Sequence, residues 1–371
     1  MKACFVSFLV VLLCCMRATA ADRFYPRQLW FDTDGRIINA HGGGVLFYDG
    51  KYYWYGEHKG EHSNSAFVGV TCYASEDLYN WTYQGVALEV SSDVESPIAS
   101  GCILERPKVI YNAATKKFVM YFHLELLGQS YAAAHCGVAV SDSPVGPFTL
   151  VRHGRVNPGI FPQEFTEAQC TSELGTNPGS FNYGTPEWFA AMEDGFYTRR
   201  DMKGGQMARD MTLFVDDDGK AYHIYSSEEN LTLHIAELSD DYLSHTGKYW
   251  RIAPGGHNEA PAIFKQGGIY YLITSGCTGW APNAARLFTS ESISGPWKQH
   301  PNPCRGSEAE TTFQGQGTFI FPVEGLPGTF IFMADNWRPD NPIDGRYIWL
   351  PIEWDEEGLP CLTFKKEWTL E

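Results

Sequence analysis

The stretch Gly44-Val45-Leu46-Phe47-Tyr48-Asp49-Gly50-Lys51-Tyr52-Tyr53-Trp54-Tyr55 is an apolar run, a tight Asp-Gly turn and an aromatic run. β-Branched and aromatic residues on both sides of such a turn form a hairpin. The pattern returns four times along the chain. Pro107 to Tyr111 leads through Ala114-Thr115-Lys116-Lys117 into Phe118 to Phe122, and Met211 to Val215 leads through Asp217-Asp218-Gly219-Lys220 into Ala221 to Tyr225. Pro261 to Phe264 then turns at Gln266-Gly267-Gly268 into Ile269 to Ile273, and Thr318 to Phe321 turns at Gly325 to Gly328 into Thr329 to Met333.

A third strand follows in most units, as in Val68 to Ala74, Gly137 to Val140 and Ala285 to Thr289; Leu231 to Leu238 and Arg346 to Ile352 complete the set. Five such units without helical periodicity predict an all-β fold, a five-bladed β-propeller. Two packed sandwiches would not produce five similar hairpins. The long stretch between the second and third units, about 151–206, reads as a loop rich in Gly, Pro, Asn and aromatics. A loop of that length is expected to form a lid or a wall at the rim. One propeller, residues 21–371, with that insertion accounts for the chain after its leader.

The first twenty residues read as a secretory signal. Lys2, an apolar run from Phe5 to Met16 and the end Ala18-Thr19-Ala20 give a basic start, a hydrophobic segment and a small-residue cleavage site after Ala20. Lipid attachment at Cys14 or Cys15 is the lesser alternative, because Leu13 and Cys14 are poor residues for the preceding position. The protein is therefore expected outside the cell or in the periplasm, without a membrane span. The remainder carries 26 basic against 44 acidic residues, a net charge of −18. That sign argues against nucleic acid or an anionic membrane as partner. Seven cysteines remain, an odd number, widely spaced and without a C-x-x-C pair, so neither a zinc site nor a disulfide framework is expected.

Chemistry gathers where each unit begins. Just before the first strand of a blade the chain passes near the propeller axis, and three acids stand there: Glu105, Asp210 and Glu259. The fifth unit has Gln316 at that place and the first has His41. A single acid at a strand start is usually a turn or cap residue. Three at equivalent offsets converge on one axial pocket, where repulsion and desolvation would be costly without a purpose. Paired carboxyls in a cleft lined by aromatics equip an enzyme for glycoside hydrolysis.

These segments carry a resemblance. Asn39-Ala40-His41-Gly42-Gly43-Gly44, Glu105-Arg106-Pro107-Lys108, Arg209-Asp210-Met211-Thr212-Leu213-Phe214, Glu259-Ala260-Pro261-Ala262 and Thr274-Ser275-Gly276-Cys277-Thr278-Gly279-Trp280-Ala281-Pro282-Asn283 are similar to glycoside hydrolase family 43. They look most like its galactan-related branch, which includes exo-β-1,3-galactanases and relatives acting on arabinogalactan side chains. The resemblance implies inversion of configuration, with Glu259 as general acid and Asp210 raising its pKa and orienting it. Most of the family carries an Asp base in the first blade, where this chain has Ala40-His41-Gly42. In the galactanase branch a Gln takes that role as its imidic acid tautomer, and Gln316 matches it. Glu105, ionisable and on the same axis, competes for the role, and His41 is a third candidate or a residue of the pocket floor.

Substrate contacts are expected from His41, Glu57, Tyr131, Asn230, Thr278, Trp280, Asn283 and Trp337. Trp280, beside a glycine, is the best stacking platform for a sugar ring. Asp216-Asp217-Asp218-Gly219 resembles the start of a calcium loop but lacks the later ligands and reads as a turn. No metal and no cofactor is expected. The partner is an oligo- or polysaccharide; the oligomeric state is left open. The expected activity is release of a terminal sugar, galactose first, from galactan or arabinogalactan. An α-L-arabinofuranosidase or related furanosidase or xylosidase is the alternative within the family, and a silent carbohydrate-binding propeller is the alternative outside enzymes.

Overall fold

The computed structural model describes residues 20–171 and 182–370. The expected leader, with the lipidation alternative at Cys14 or Cys15, lies outside the described residues apart from Ala20.

The opening hairpin joins His41–Tyr48 (β1) to Lys51–Glu57 (β2), and its turn residues Asp49 and Gly50 both have positive φ, 47° and 77°. That twist matches the flanking strands. Gly69–Ser75 (β3) and Thr82–Glu89 (β4) complete the first sheet. Ile103–Asn112 (β5), Lys117–Glu125 (β6), His135–Ser141 (β7) and Thr149–Gly154 (β8) form the second. After three short helices, Met211–Val215 (β9), Ala221–Ser227 (β10), Thr232–Leu238 (β11) and His245–Ile252 (β12) form the third. Glu259–Gln266 (β13), Ile269–Ser275 (β14), Arg286–Ser290 (β15) and Lys298–His300 (β16) form the fourth.

The remaining strands are Cys304–Arg305 (β17), Gln316–Pro322 (β18), Phe330–Asn336 (β19), Arg346–Pro351 (β20), Glu353–Trp354 (β21) and Pro360–Thr363 (β22). They divide into two sheets, β18-β19-β20 and β17-β22-β21. The propeller therefore has six blades, not the five expected from the hairpin repeat. The additional sheet is small, and its β17 pairs in parallel with β22, Cys304 opposite Leu362. Strands this short, one of them joined to its neighbour across a long stretch of sequence, do not repeat the signature of the larger hairpins. The strands β1, β5, β9, β13 and β18 touch one another in turn around the axis, and the small sheet packs beside β20.

The insertion differs from the expected loop. Its first residues belong to β8, and it then carries the helices Glu167–Thr171 (α1), Pro186–Glu193 (α2) and Phe196–Arg200 (α3). In α2 Thr185 caps the Trp188 N–H, Pro186 opens the helix, and Trp188 and Met192 are buried four residues apart. Two turns are too few to establish a period in sequence. Asp216-Asp217-Asp218 is a hairpin turn, with Asp216 accepting from Lys265 at 2.6 Å and Tyr270 at 2.5 Å. All seven cysteines among the described residues are free thiols.

Four inner strands start irregularly. The register with the neighbouring strand shifts between His41 and Gly44, between Glu105 and Lys108, between Glu259 and Ala262, and between Gly317 and Phe319. Gly42, Arg106 and Ala260 lie at these shifts with φ of 60°, 57° and 52°. Each is a bulge that re-aims the preceding side chain. The first needs glycine on space alone, since a Cβ on Gly42 would stand 2.1 Å from the Glu57 carboxylate.

Apolar clusters fill the gaps between neighbouring blades. The cluster between the first blade and the sheet β18-β19-β20 is the most aromatic, with Trp54, Trp81 and Trp349 buried together. Phe24 and Trp368 exchange backbone hydrogen bonds of 2.8 and 3.2 Å and stack at 4.3 Å, so the two ends of the described chain close the ring. Trp349→Ala is expected to destabilise the protein by about 3–5 kcal/mol through the cavity it leaves, read as a lower urea midpoint with an unchanged slope.

Candidate active site

A cavity of about 230 Å³ opens on the propeller axis, where the inner strands begin. A larger cavity of about 610 Å³ lies against the N-terminal segment, among Phe24, Leu29, Trp30 and Ile38. It brings together no comparable group of carboxylates, so chemistry rather than size selects the axial one.

Arg106 organises this cavity. Its guanidinium donates to Asp210 Oδ2 at 2.8 Å, to Gln316 Oε1 at 2.6 Å and to the Gly317 carbonyl at 3.0 Å. Its backbone N–H donates to Glu57 Oε1 at 2.9 Å. Glu57 also pairs with Lys59 at 2.5 Å, both nearly inaccessible to solvent. Asp210 Oδ2 accepts a further N–H from Ala260 at 3.2 Å, available because of that residue's left-handed φ.

Glu259, the first residue of β13, accepts the Asn230 amide at 2.8 Å and the Cys277 thiol at 3.2 Å, both on Oε1. Burial and then the charge of Asp210 push its carboxyl up to about 7. It is therefore protonated over much of the neutral range.

Glu105 has the opposite character. Burial favours its neutral form, but the His123 hydrogen bond, the Lys59 charge and the Tyr131 hydroxyl outweigh burial and hold it at about 2. Its Oε2 meets His123 Nδ1 at 3.2 Å, and its Oε1 accepts the Tyr131 hydroxyl at 2.9 Å. The other ring nitrogen of His123 meets Glu125 at 2.9 Å. Although burial opposes it, hydrogen bonding to the two carboxylates raises His123 to about 9. Ligand atoms of Glu105, His123 and Asp210 lie within 4.8 Å of one another. In this trio His123 is tied to Glu105 through Nδ1 and to Glu125 through Nε2, so hydrogen bonds account for its arrangement.

Gln316 is fixed on three sides. Its Oε1 accepts from Arg106 and from Trp337 Nε1, the latter at 2.9 Å, and its Nε2 donates to Ser275 Oγ at 2.9 Å. Trp337 lies with the Arg106 guanidinium 5.2 Å from its ring centre and meets Trp280 edge-on at 6.0 Å. Trp280, 42% exposed, keeps a surface at the mouth.

The cavity thus gathers Glu259, Asp210, Gln316, Glu105, Glu57, Tyr131, Asn230, Trp280 and Trp337. Three expected contacts differ. His41 is 1% exposed, stacked on Tyr347 beneath the pocket, and lowered to about 3 first by burial and then by Lys59. It is a neutral ring below the floor rather than a lining group. Thr278 donates to the Ala281 carbonyl, and Asn283 holds both Gly276 and Thr278. Both residues shape the loop that carries Trp280; Asn283 lines a small adjoining cavity that shares Gly279, Trp280, Gln316 and Trp337 with the axial one.

The insertion, expected at the rim, contributes no described residue to this cavity. It braces the site from behind. Thr198 donates to Glu228 at 2.8 Å, and Arg251, which also binds Glu228, donates to the Met192 and Glu193 carbonyls. Glu228, Glu229 and Asn230 are three consecutive left-handed residues, and this braced turn delivers Asn230 to Glu259. Sequence reasoning assigned no role to Arg106, Lys59, His123, Ser275 or Cys277. Only His123 left a usable signal: His123 and Glu125 alternate on β6, with His123 opposite Glu105.

Residues 189–360 match the family Glycosyl hydrolases family 43. A solved family 43 β-1,3-galactosidase, with galactodeoxynojirimycin, is 57% identical and covers 94% of this chain and 100% of that chain, with a TM-score of 0.91. A solved exo-β-1,3-galactanase from Phanerochaete chrysosporium, with β-1,3-galactotriose, is 30% identical over 95% of this chain and 69% of that chain, with a TM-score of 0.76. A β-D-galactofuranosidase from Aspergillus niger is 31% identical over 121 residues, 32% of this chain and 35% of that protein. The match thus spans about a third of that curated relative.

The charged state of His123 has a consequence for stability. Its folded value near 9 exceeds the ordinary 6.5, so its stabilising contribution is fully present below pH 6.5 and is lost as pH rises through 9. The advantage of wild type over His123→Gln in thermal midpoint should be largest near pH 6 and shrink toward pH 9. An advantage that stays constant over that window would mean the ring is neutral.

Proposed function

Because the chain belongs to glycoside hydrolase family 43, we propose that it is an inverting, exo-acting β-1,3-galactosidase that releases galactose from galactan or arabinogalactan chains. The observation that carries this reading is Glu259, a carboxyl raised to about 7 beside Asp210 in a single small axial pocket. The names of the 57% and 30% identical relatives supply the sugar and the linkage.

Glu259 protonates the departing glycosidic oxygen, and Asp210, anchored by Arg106 and the Ala260 N–H, keeps the proton on it until then. Water attacks from the opposite face of the ring. The resemblance gives its proton to Gln316, and the geometry sets a condition. An imidic tautomer needs a hydrogen on Oε1, where Arg106 and Trp337 already donate. Glu105 needs no such release, since it is ionised with lone pairs left beyond its bonds to His123 and Tyr131. On hydrogen-bonding capacity Glu105 is the better acceptor and Gln316 the better donor to a bound water or hydroxyl. Glu57, Tyr131 and Asn230 would hold sugar hydroxyls, with Trp280 against the ring.

The furanoside alternative is favoured by one observation, the partial match to a β-D-galactofuranosidase. Export is proposed on the leader pattern of residues 1–20, and the first residue of the exported protein would be Ala21.

Glu259→Gln should lower kcat/KM on β-1,3-galactobiose by roughly 10²–10⁴-fold. Wild type should release α-galactose first, followed by NMR, and should leave galactofuranosides and arabinofuranosides untouched; preference for a furanoside would overturn the pyranose assignment. Azide added to Glu105→Ala and to Gln316→Ala identifies the base as the residue whose loss it rescues, with α-galactosyl azide as product.

A further inference from the structure

Both hydrogen bonds to Glu259 fall on one oxygen. Oε1 receives the Asn230 amide and the Cys277 thiol, so in the protonated acid Oε1 is the carbonyl oxygen and Oε2 bears the hydrogen. Cys277 stands on the loop after β14 that also presents Trp280. Asn283 fixes that loop by accepting the Gly276 N–H at 2.7 Å and donating to Thr278 Oγ1 at 2.7 Å. Burial and then Glu259 push the Cys277 thiol up to about 12. The thiol is therefore a neutral donor, not a nucleophile, near neutral pH.

We infer that Cys277 is a positioning residue: its S–H, with the Asn230 amide, holds Oε1 so that the transferable proton sits on Oε2, and it ties the acid to the loop carrying Trp280. This rests on Glu259 being the acid of the proposed reaction. The charged groups facing Glu259 are Asp210, which raises it, and Arg106 and Arg209, which lower it. The thiol acts with the arginines, because a donor stabilises the carboxylate more than the acid. Removing the donor while keeping its bulk should raise the carboxyl further.

Cys277→Val keeps the packing and loses the donor; Cys277→Ser keeps a donor. Infrared difference spectra against Glu259→Gln follow the carboxyl directly and need no substrate. In Cys277→Val it should titrate about half a unit to one unit higher than in wild type, and in Cys277→Ser it should stay near wild type. The alkaline limb of kcat/KM should move with it. The rate deficit of Cys277→Val should be larger on β-1,3-galactobiose, whose leaving group needs the proton, than on 2,4-dinitrophenyl β-galactoside, whose leaving group does not. An unshifted carboxyl in Cys277→Val, equal shifts in both variants, or equal deficits on both substrates would overturn the inference. A wild type inactive on every galactoside, with the infrared shift still present, would instead overturn the galactosidase reading and leave the thiol's hold on Glu259 established.

Discussion

One guanidinium makes the axis a site. Arg106 is 5% exposed and binds Asp210, Gln316, the Gly317 carbonyl and, through its backbone, Glu57. These partners come from three blades other than its own. A buried cation is tolerated only when its donors are matched, and removing it would leave Asp210 without its ion-pair partner and Gln316 and Gly317 without a donor. Arg106 also adopts a left-handed backbone, which for a non-glycine residue costs about 1–2 kcal/mol. The surrounding bonds hold it in that conformation. The acid's environment depends on this cation, because Arg106 fixes the Asp210 that acts on Glu259.

The bulges and the insertion complete the arrangement. An unbroken strand would alternate its side chains strictly between two faces; the shifts beginning at His41, Glu105 and Glu259 break that alternation where the axis is reached. The helical insertion adds Thr198 to the hold that Thr232, His234 and Arg251 already have on Glu228, at the head of the three left-handed residues. A segment outside the pocket thereby sets the position of a group inside it.

Much of this was legible in the residues. Hairpins are local, so Asp49-Gly50 and its counterparts mark the larger blades and, with them, the strand starts where Glu105, Asp210, Glu259 and Gln316 converge. The small sheet of β17, β21 and β22 was not legible, because its strands are too short to show alternation and β17 reaches β22 across the whole of the preceding sheet, although β21 and β22 are a local hairpin. Nor was the burial of His41, which shares its offset with the acids but is covered by Tyr347 from a distant strand. The partners of Glu259 were hidden for the same reason: Asn230 and Cys277 approach it from two loops whose paths depend on Glu228 and Asn283. A sequence gives position along a strand, whereas hydrogen-bond capacity is divided among residues far apart in it.

The pairing of Phe24 with Trp368 bears on how the protein is made. The aromatic seam between the first blade and the sheet β18-β19-β20 needs residues far apart in the chain, including Trp54 and Trp349. During synthesis the first blade presents one apolar flank with no neighbour until Trp349 and Trp368 have been made. Contacts of such sequence separation are slow to form and leave sticky surface exposed meanwhile. Closing the ring therefore waits on the strand that carries Trp349, and until then the apolar flank of the first blade stays uncovered.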